Sequence, residues 1–441
     1  MPDYRWELSR PLLYATIPPI LNGSGMRLKK ICLFFILSSF FLSAYAASAF
    51  GECPGDKLRV DIQGNTKTKN STILRLAYLK GDCVPEGGIE LAFVKQELLN
   101  SHLFSSVEVS LDKEPGLTTV HITVKDKWTI IPIPILYTSA EVSGGGLMIL
   151  ESNLLGRKKI AMIGASINNH GFSYEGIYID DAVYGTRWIG VIRPLIIERD
   201  VFQYHDEEKV YAYHEKFNLV FGIIGYRVTD HIAPGVGFIY RYRDLEKYED
   251  YKAPPNEGRT HGAMLNLRFG DVDFTDYYDK GYSGTVVLER ALREFNAKTI
   301  YGHLQVTTDF TYPVWKLLSR SFVGGGWSFG EDVQFTNYWR LGGEVGNRGL
   351  PIGGLWVSNY FSVSQQIEEV VYRPKFGVIT VAQFVDGVFT AEDYPFRSYP
   401  AIGPGLRVYL KQIAIPAVGV DAGYSLRTGG WHVSAYAGKA F

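Results

Sequence analysis

The chain has 441 residues, enough for one large domain and one small one. Its formal net charge of −1 at pH 7 excludes the strongly basic surface that nucleic-acid-binding proteins carry. Its mean hydropathy of −0.03 and its single long apolar run exclude a membrane protein built of several apolar helices.

The apolar run lies near the N-terminus and has the three parts of a secretory signal peptide. Met26–Lys30 is basic, Ile31–Ser43 is apolar, and Ala44–Ala49 offers small-residue cleavage sites. We therefore predict a signal peptide at residues 26–49, with residues 1–25 an extension that results from a mis-assigned start. The alternative is a single anchoring helix, which the short apolar stretch disfavours.

Export would leave two cysteines, Cys53 and Cys83. Exported proteins fold in an oxidising compartment where paired cysteines can bridge, so these two residues are the candidate disulfide. Cys32 does not lie in a lipobox, and a lipid-anchored protein is therefore not expected.

Residues 57–127 have the pattern of a small α+β domain with the element order β-α-α-β-β. The predicted elements are a strand at Leu58–Ile62, helices at Thr68–Leu79 and Ile89–Asn100, and strands at Val107–Leu111 and Thr119–Val124. The order alone would also suit a generic α+β module.

Some segments of this domain are more specific than its element order. Three of them resemble POTRA domains: Ile62–Thr68, Leu98–Val107 and Val120–Trp128. POTRA domains are the periplasmic polypeptide-binding modules that precede barrels of the BamA-like superfamily, usually two or more to a chain, whereas this chain has room for one. The resemblance implies that an edge strand with Val107, Val109 and Leu111 binds an unfolded client by strand pairing.

After Lys127 the helical period disappears, and about 16 strand-like runs follow in residues 129–441, each long enough to cross the hydrocarbon layer. Short connections alternate with long ones. The long ones are predicted at Gln203–Tyr213, Asp244–Arg259, Glu331–Ser358 and Thr390–Pro400. The 14% aromatic content also fits the aromatic girdles of outer-membrane barrels. We predict a transmembrane β-barrel of about 16 antiparallel strands, rather than the alternative, a soluble β-sandwich.

The longest connection contains Gly342–Leu350, which resembles the motif of the sixth loop in BamA-like barrels. Arg348 and Gly349 match that motif, while Asn347 stands where Val is usual and Leu350 stands where an aromatic residue is usual. The resemblance implies that the loop folds into the lumen and that its arginine pairs with a carboxylate on the inner wall.

Asp386 is the expected partner of that arginine. It interrupts the apolar strand Ala382–Val388, which resembles a strand motif of the same family, and an inward carboxylate in a barrel needs a cation or water. An arginine suits this place because it stays charged and makes forked hydrogen bonds to a carboxylate. We predict an Arg348–Asp386 pair that locks the loop inside the lumen, and the alternative is an exposed loop arginine.

Further segments carry the same resemblance, which covers residues 57–441 as a whole. They are the first internal turn at Asn153–Arg157, the start of a late strand at Gly403–Arg407, and a C-terminal insertion signal at Gly438–Phe441.

The first and last strands are expected to meet at a weak seam. Pro132 and Pro134 lie in the first strand, Ile131–Tyr137, and proline cannot donate to a neighbouring strand. The last strand, Trp431–Phe441, alternates to its final residue, and a terminal strand frays unless it is paired. The resemblance implies that this seam opens as a lateral gate. The alternative is an ordinary strand entry, where prolines are tolerated.

The expected function is insertion or export of polypeptides at the outer membrane, through this seam and after capture by the POTRA domain in the periplasm. The alternatives are a passive pore or surface antigen of the same fold, and a two-partner-type secretion transporter. Expected partners are unfolded outer-membrane or secreted polypeptides, outer-membrane lipid and periplasmic accessory proteins, with no nucleic acid. The sequence has no catalytic, metal-binding or phosphate-binding motif, so we expect no enzyme activity, cofactor or metal.

Overall fold

The computed structural model describes residues 56–437 except 80, 86, 139–142, 170, 206–207, 248–257, 292–299, 331–332, 334–336, 344–345, 352, 391–396 and 414–417. The predicted signal peptide, Cys53, Gly438 and Phe441 lie outside the described residues. Cys83 is disulfide-bonded. No helix within the described ranges is long and apolar enough to cross a membrane.

Residues 57–126, which we call the N-terminal module, form a three-stranded sheet covered by two helices. The elements are β1 (Lys57–Gln63), α1 (Asn70–Leu76), α2 (Leu91–Asn100), β2 (Phe104–Glu114) and β3 (Leu117–Asp126). The strand order is β1-β3-β2, with β1 parallel and β2 antiparallel to β3. Ile73 and Leu98 of the helices pack with Val120 and Ile122 of β3 in a fully buried core.

Helix α1 is shorter than the predicted helix Thr68–Leu79, which was wrong at both ends. Thr68 Oγ1 donates to the Asp126 carboxylate at 2.5 Å, and Lys69 keeps an extended backbone as the N-cap. Tyr78 has a left-handed φ of 56°, which ends the helix. The hydrogen bond of Thr68 therefore sets the start of α1, and the turn at Tyr78 sets its end. The spacing of apolar residues alone predicted neither bound.

From Ile130 onward, the described residues form one sixteen-stranded antiparallel sheet, which agrees with the predicted strand number. Its strands are β4 (Ile130–Thr138), β5 (Ser143–Leu154), β6 (Lys159–Asn168), β7 (Gly171–Asp180), β8 (Trp188–His205), β9 (Glu208–Tyr226), β10 (Ile232–Lys247), β11 (Gly258–Thr275), β12 (Tyr278–Ala291), β13 (Gly302–Val314), β14 (Leu317–Phe329), β17 (Asn359–Tyr372), β18 (Gly377–Thr390), β19 (Arg397–Leu410), β20 (Val418–Ser425) and β21 (Trp431–Ala437). Each strand pairs with its neighbour in sequence except at β14, which pairs with β17. Residues 330–358 between them, which we call loop six, contain the small pair β15 (Trp339–Leu341) and β16 (Leu355–Val357).

The predicted long connection at Gln203–Tyr213 is wrong. Strands β8 and β9 run through this segment, and their pairing continues to His205 and Glu208. Likewise β10 extends to Lys247, beyond the predicted start of a loop at Asp244. Backbone pairing does not require apolar side chains once a hairpin leaves the hydrocarbon layer, so charged and tyrosine-rich sequence continued as strand.

The two faces of the large sheet are inverted relative to a soluble protein. One face exposes apolar side chains, with Ile163 at 69%, Ile167 at 71% and Val433 at 73% exposure. The other face, which we call the inner face, buries polar ones. Loop six lies against it, because Arg340 contacts Glu215 on β9 and Arg348 contacts Asp421 on β20. Since one loop contacts strands that are far apart in the sheet order, the sheet curls around loop six.

Candidate functional site

The inner face of β17–β20 carries a network of buried polar side chains, which we call the polar wall. Its members are Ser364, Gln366, Glu368, Thr380, Asp386, Arg407 and Asp421. Strand pairing aligns them, since Ser364 lies directly opposite Asp386 and donates to it at 2.7 Å. Buried polar groups are costly unless they are hydrogen-bonded, so the network needs partners on every side.

Arg348 inserts from loop six into the polar wall and is 6% exposed. Its Nε and Nη2 donate to the two oxygens of Asp386 at 2.9 and 2.7 Å, and its backbone N–H donates to the same carboxylate at 2.9 Å. Its guanidinium also donates to Gln366 at 2.6 Å and to Ser364 at 3.0 Å, and lies 3.3 Å from an Asp421 oxygen. The structure thus brings together the two residues that the sequence paired.

Close packing brings the loop against the wall around this arginine. The guanidinium carbon of Arg348 lies 3.5 Å from the ring centroid of Phe384, a cation–π contact. A Cβ on Gly349 would lie 2.5 Å from the Cβ of Ala401, and a Cβ on Gly423 would lie 2.3 Å from the carbonyl oxygen of Arg348. Both positions therefore need glycine, and the first of them is the predicted motif glycine.

The two motif positions that differ from the BamA-like pattern make contacts of their own. The Asn347 side chain donates to the carbonyl oxygen of Tyr399 at 2.6 Å and accepts from the backbone N–H of Gly349 at 2.8 Å. Leu350 is buried, and its carbonyl oxygen accepts from Gly343 at 2.8 Å. The amide hydrogen bonds of Asn347 and the burial of Leu350 hold this part of loop six in place.

Arg407 and Asp421 form a second buried ion pair, at 2.7 Å, which the sequence analysis missed. Arg407 is fully buried and also donates to Gln366 at 2.9 Å, so it joins the same network as Arg348. Asp421 lies in an otherwise apolar alternating strand, as Asp386 does. That interruption is the signal that would have identified it.

Loop six has a second attachment on the opposite side of the inner face. Arg340 donates to Glu215 at 3.2 Å, and its guanidinium lies 3.9 Å from the ring centroid of Trp356. Arg199 and Arg243 contact the same carboxylate at 3.0 and 3.1 Å. This cluster was not predicted, because the predicted connection Gln203–Tyr213 ends just before Glu215, where the structure has the strand β9.

Within the described residues, β4 is the last strand at one end of the sheet, and its two prolines lie at this outer edge, which we call the free edge. Ser152 donates to the carbonyl oxygen of Thr129 at 3.0 Å, so odd-numbered positions of β4 point their backbone groups toward β5. Neighbouring residues of a strand point theirs in opposite directions. Pro132 and Pro134 therefore face away from β5. Their missing N–H groups leave the β4–β5 pairing intact and remove two donors from the free edge.

Strands β4 and β21 are the two ends of the sheet order, and we call the place where their free edges lie the seam. The backbone N–H of Trp128, just before β4, donates to Gln412 at 2.8 Å, and Trp128 forms a parallel bridge with Ile413. The segment entering β4 is thereby attached to the turn between β19 and β20. At the other end of the seam, Trp431 is 61% exposed and packs against Tyr424.

The predicted client-binding strand of the N-terminal module, β2, lies at an edge of its sheet. Val107 is buried in the core of the module, and Val109 and Leu111 pack against that core. These three side chains face the helices. The edge therefore offers its backbone to another strand, and the three side chains serve the stability of the module.

Asp126 at the end of the module accepts a cluster of hydrogen bonds. Burial alone would raise the pKa of this carboxyl group, but hydrogen bonds from Thr68 Oγ1 and from the backbone N–H groups of Lys67, Thr66 and Thr68 outweigh it and hold the pKa below its ordinary value of 3.8. Asn153, in the first internal turn of the large sheet, donates to Thr68 at 2.9 Å.

The same turn anchors the N-terminal module to the large sheet. Lys67 Nζ lies 2.6 Å from Glu151, and the carbonyl oxygen of Gly156 accepts from the Lys69 backbone at 3.0 Å and from Thr72 Oγ1 at 2.9 Å. Three segments that the sequence analysis singled out separately thus meet at one junction. They are Ile62–Thr68, Val120–Trp128 and Asn153–Arg157.

A second contact links the module to the turn between β11 and β12. Gln96 donates to the carbonyl oxygen of Phe274 at 2.9 Å, Asn100 accepts from the backbone N–H of Phe274 at 2.8 Å, and His102 lies 2.9 Å from Asp279. The module therefore lies at the short-turn end of the sheet. Within the described part of the chain, no group of three His, Cys, Asp or Glu side chains could hold a metal ion.

No model of a known protein family and no curated protein matches the chain. Solved structures do match it. BamA from Haemophilus ducreyi lacking POTRA domains 1–3 has a TM-score of 0.53 at 15% identity, over 87% of this chain and 83% of that one. CdiB from Acinetobacter baumannii has a TM-score of 0.57 at 13% identity, over 86% and 73%. CdiB from Escherichia coli has a TM-score of 0.59 at 13% identity, over 86% and 75%.

The chain has the fold of the BamA-like barrels. The barrel in the predicted fold class is confirmed: the sixteen-stranded sheet is a transmembrane β-barrel, and its inner face lines the lumen. The barrel's apolar outer face is the lipid-facing surface that such a fold requires. Loop six, with Arg348, occupies part of the lumen.

Proposed function

We propose that this protein is an outer-membrane assembly or translocation protein that inserts or exports polypeptides through the seam. In this proposal the N-terminal module is a POTRA domain in the periplasm, and the barrel lies in the outer membrane. The similarity to BamA and CdiB supports the fold, and the geometry of the seam supports the function. The observation that carries it is the orientation of Pro132 and Pro134, which removes two donors from the edge of β4.

At such an edge, backbone hydrogen bonds that close the seam can be replaced by hydrogen bonds to an incoming strand. A hydrogen bond contributes about 0.5–1.5 kcal/mol net in water, and an unsatisfied backbone group in lipid costs several kcal/mol. A seam that lacks two donors on one side is therefore easier to open than it would be with both N–H groups in place. The free edge keeps its carbonyl acceptors, and an incoming strand with N–H donors can pair with them. No chemical step is needed.

Loop six argues against the passive-pore alternative. A pore needs an open, water-filled lumen. Here a loop of the chain itself is attached to one side of the lumen through Arg348 and to the other through Arg340. Because the centre of the barrel is obstructed, the seam is the better path for a polypeptide.

The edge of β2 would capture clients on the periplasmic side. It offers backbone groups, while Val107, Val109 and Leu111 face the core of the module. Capture through the backbone tolerates many client sequences, which suits a protein that handles unfolded chains.

The test is to replace Pro132 and Pro134 together by Ile, which restores both donors at the lipid-facing edge. We expect a barrel that is harder to unfold and that assembles fewer client barrels, or secretes less of its partner, in a depleted strain complemented with the variant. Pro313→Ile is the matched control, because β13 lies between β12 and β14 in the sheet order, away from the seam.

Unchanged client levels in the double variant would contradict the seam mechanism. A change in small-solute permeability alone, with normal barrel assembly and secretion, would instead support the passive pore.

A further inference from the structure

The lumen has a second, chemically different wall opposite the polar wall. A row of inner-face residues crosses five neighbouring strands in direct register: Met264, Gly237, Ile223, Val191 and Ile179. Ile239 packs with this row. We call Ile179, Val191, Ile223, Ile239 and Met264 the apolar wall. Barrel lumens are normally polar, so an apolar row on the inner face is unusual. Val191, Ile223, Ile239 and Met264 are only 4–9% exposed, which fits apolar side chains that avoid water.

The apolar wall lines a cavity of about 630 Å³, within the range of roughly 300–1,000 Å³ for sites of small ligands. With strands about 4.8 Å apart, a row across five of them is about 19 Å long. That is the length of a long acyl chain.

The charged groups around the cavity are mostly positive. Six arginines line it: Arg193, Arg199, Arg241, Arg243, Arg268 and Arg340. The ion pairs of these arginines within the described residues use three carboxylates, those of Glu175, Glu215 and Glu289. An anionic ligand would therefore complement this side of the lumen.

Arg268 is the best placed of the six for such a ligand. Within the described ranges, no carboxylate lies at ion-pair distance from it. Thr285 lies directly opposite it on β12, and Asn266 precedes it by two residues on the same face. Both also line the cavity. A guanidinium beside uncharged hydrogen-bonding groups is suited to a carboxylate, which it can bind through two parallel hydrogen bonds.

We propose that this cavity binds a long-chain fatty-acid anion, with its carboxylate on Arg268 and its acyl chain along the apolar wall. A polypeptide segment fits less well, because its backbone N–H and C=O groups would need partners that Ile223 and Val191 cannot supply. The site lies away from the seam, and the inference does not depend on the proposed function.

The test uses purified full-length protein in a non-ionic detergent, with radiolabelled palmitate as the probe and hexadecanol as its uncharged analogue. We expect saturable palmitate binding, weaker hexadecanol binding, and a loss of palmitate affinity of about tenfold or more in Arg268→Gln, because a charge-assisted pair is lost. Arg268→Lys should retain part of the affinity. Arg187→Gln, the same change in a surface turn, should bind like the wild type.

Ile223→Asn tests the apolar part of the site and should weaken palmitate and hexadecanol binding alike. Circular dichroism and heat-modifiable gel migration check that each variant is folded. If Ile223→Asn does not fold, the variants Arg268→Gln and Arg268→Lys still test the proposal. Equal binding of palmitate and hexadecanol, or wild-type palmitate affinity in Arg268→Gln, would overturn the proposal. The proposal would also be overturned if a photo-crosslinker at position 264 captured only detergent, only a client peptide, or only residues 1–55 of the same chain.

Discussion

The polar wall and the apolar wall of the lumen both bury side chains inside the barrel, but they do so with opposite chemistry. In the polar wall, the charges of Arg348, Asp386, Arg407 and Asp421 are buried together, and each has an oppositely charged partner. The apolar wall has few polar groups to satisfy but leaves open space beside it. The first wall fits one partner, a loop of its own chain, with high specificity. The second fits an occupant that brings apolar surface and negative charge.

The largest effect should come from Asp386→Ala in the polar wall. Removing this carboxylate leaves the buried Arg348 without its main partner, and breaking a buried ion pair costs about 3–5 kcal/mol. The measurement is the denaturant midpoint of the purified barrel in detergent.

Asp276→Ala is the matched control for that variant, because it removes an exposed carboxylate that pairs with Arg373 at 2.8 Å. Surface ion pairs contribute about 0–1 kcal/mol. Equal midpoints for the two variants would show that the polar wall is not a network of mutually dependent charges.

A smaller effect is expected for Gly423→Ala, which adds one methyl group behind loop six. The new Cβ would lie 2.3 Å from the carbonyl oxygen of Arg348, and overpacking of this kind costs about 1–3 kcal/mol. Gly222→Ala on β9 adds the same group where the nearest atom is 3.8 Å away. Only the first variant should expose loop six to protease, and cleavage in both or in neither would contradict the close packing.

In the apolar wall, Ile223→Ala should cost only about 1–2 kcal/mol, below the usual 2–5 for a packed core, because the cavity is already present. Added palmitate should then stabilise the wild type more than the variant, since a ligand stabilises the state that it binds. A loss as large as that of Asp386→Ala would show that the apolar wall is a closed core with no open space beside it.

The smallest effect is expected at the junction, outside both walls, when the pH is lowered. The folded pKa of Asp126 is depressed, so its stabilisation is present above the ordinary value of 3.8 and is lost as the pH falls below it toward the folded pKa. Hydrogen exchange of the Thr66–Thr68 amides, corrected for the intrinsic rate, should increase there relative to neutral pH. Asp126→Asn should exchange fast at both pH values, and a variant that kept the pH dependence would assign it to another group.

Several features of the structure were accessible from the sequence because they depend on local periodicity or on a compact motif. The strand number follows from alternation, and the candidate pair Arg348 and Asp386 follows from a loop motif and an interrupted strand. The sequence also contains a sign of the cavity. Pro194–Ile197 is apolar at four successive positions, a pattern typical of a strand covered on both faces, and Leu195 and Ile197 line the cavity.

By itself, the sequence determined the number of strands and identified Arg348 as the arginine of loop six that pairs with Asp386. Only the tertiary structure decided that Gln366 and Asp421 share that arginine, that Pro132 and Pro134 face the seam, and that one side of the lumen is apolar. The physical reason is that alternation fixes the face on which a side chain lies, while its partners depend on register and on the curvature that brings distant strands around one loop.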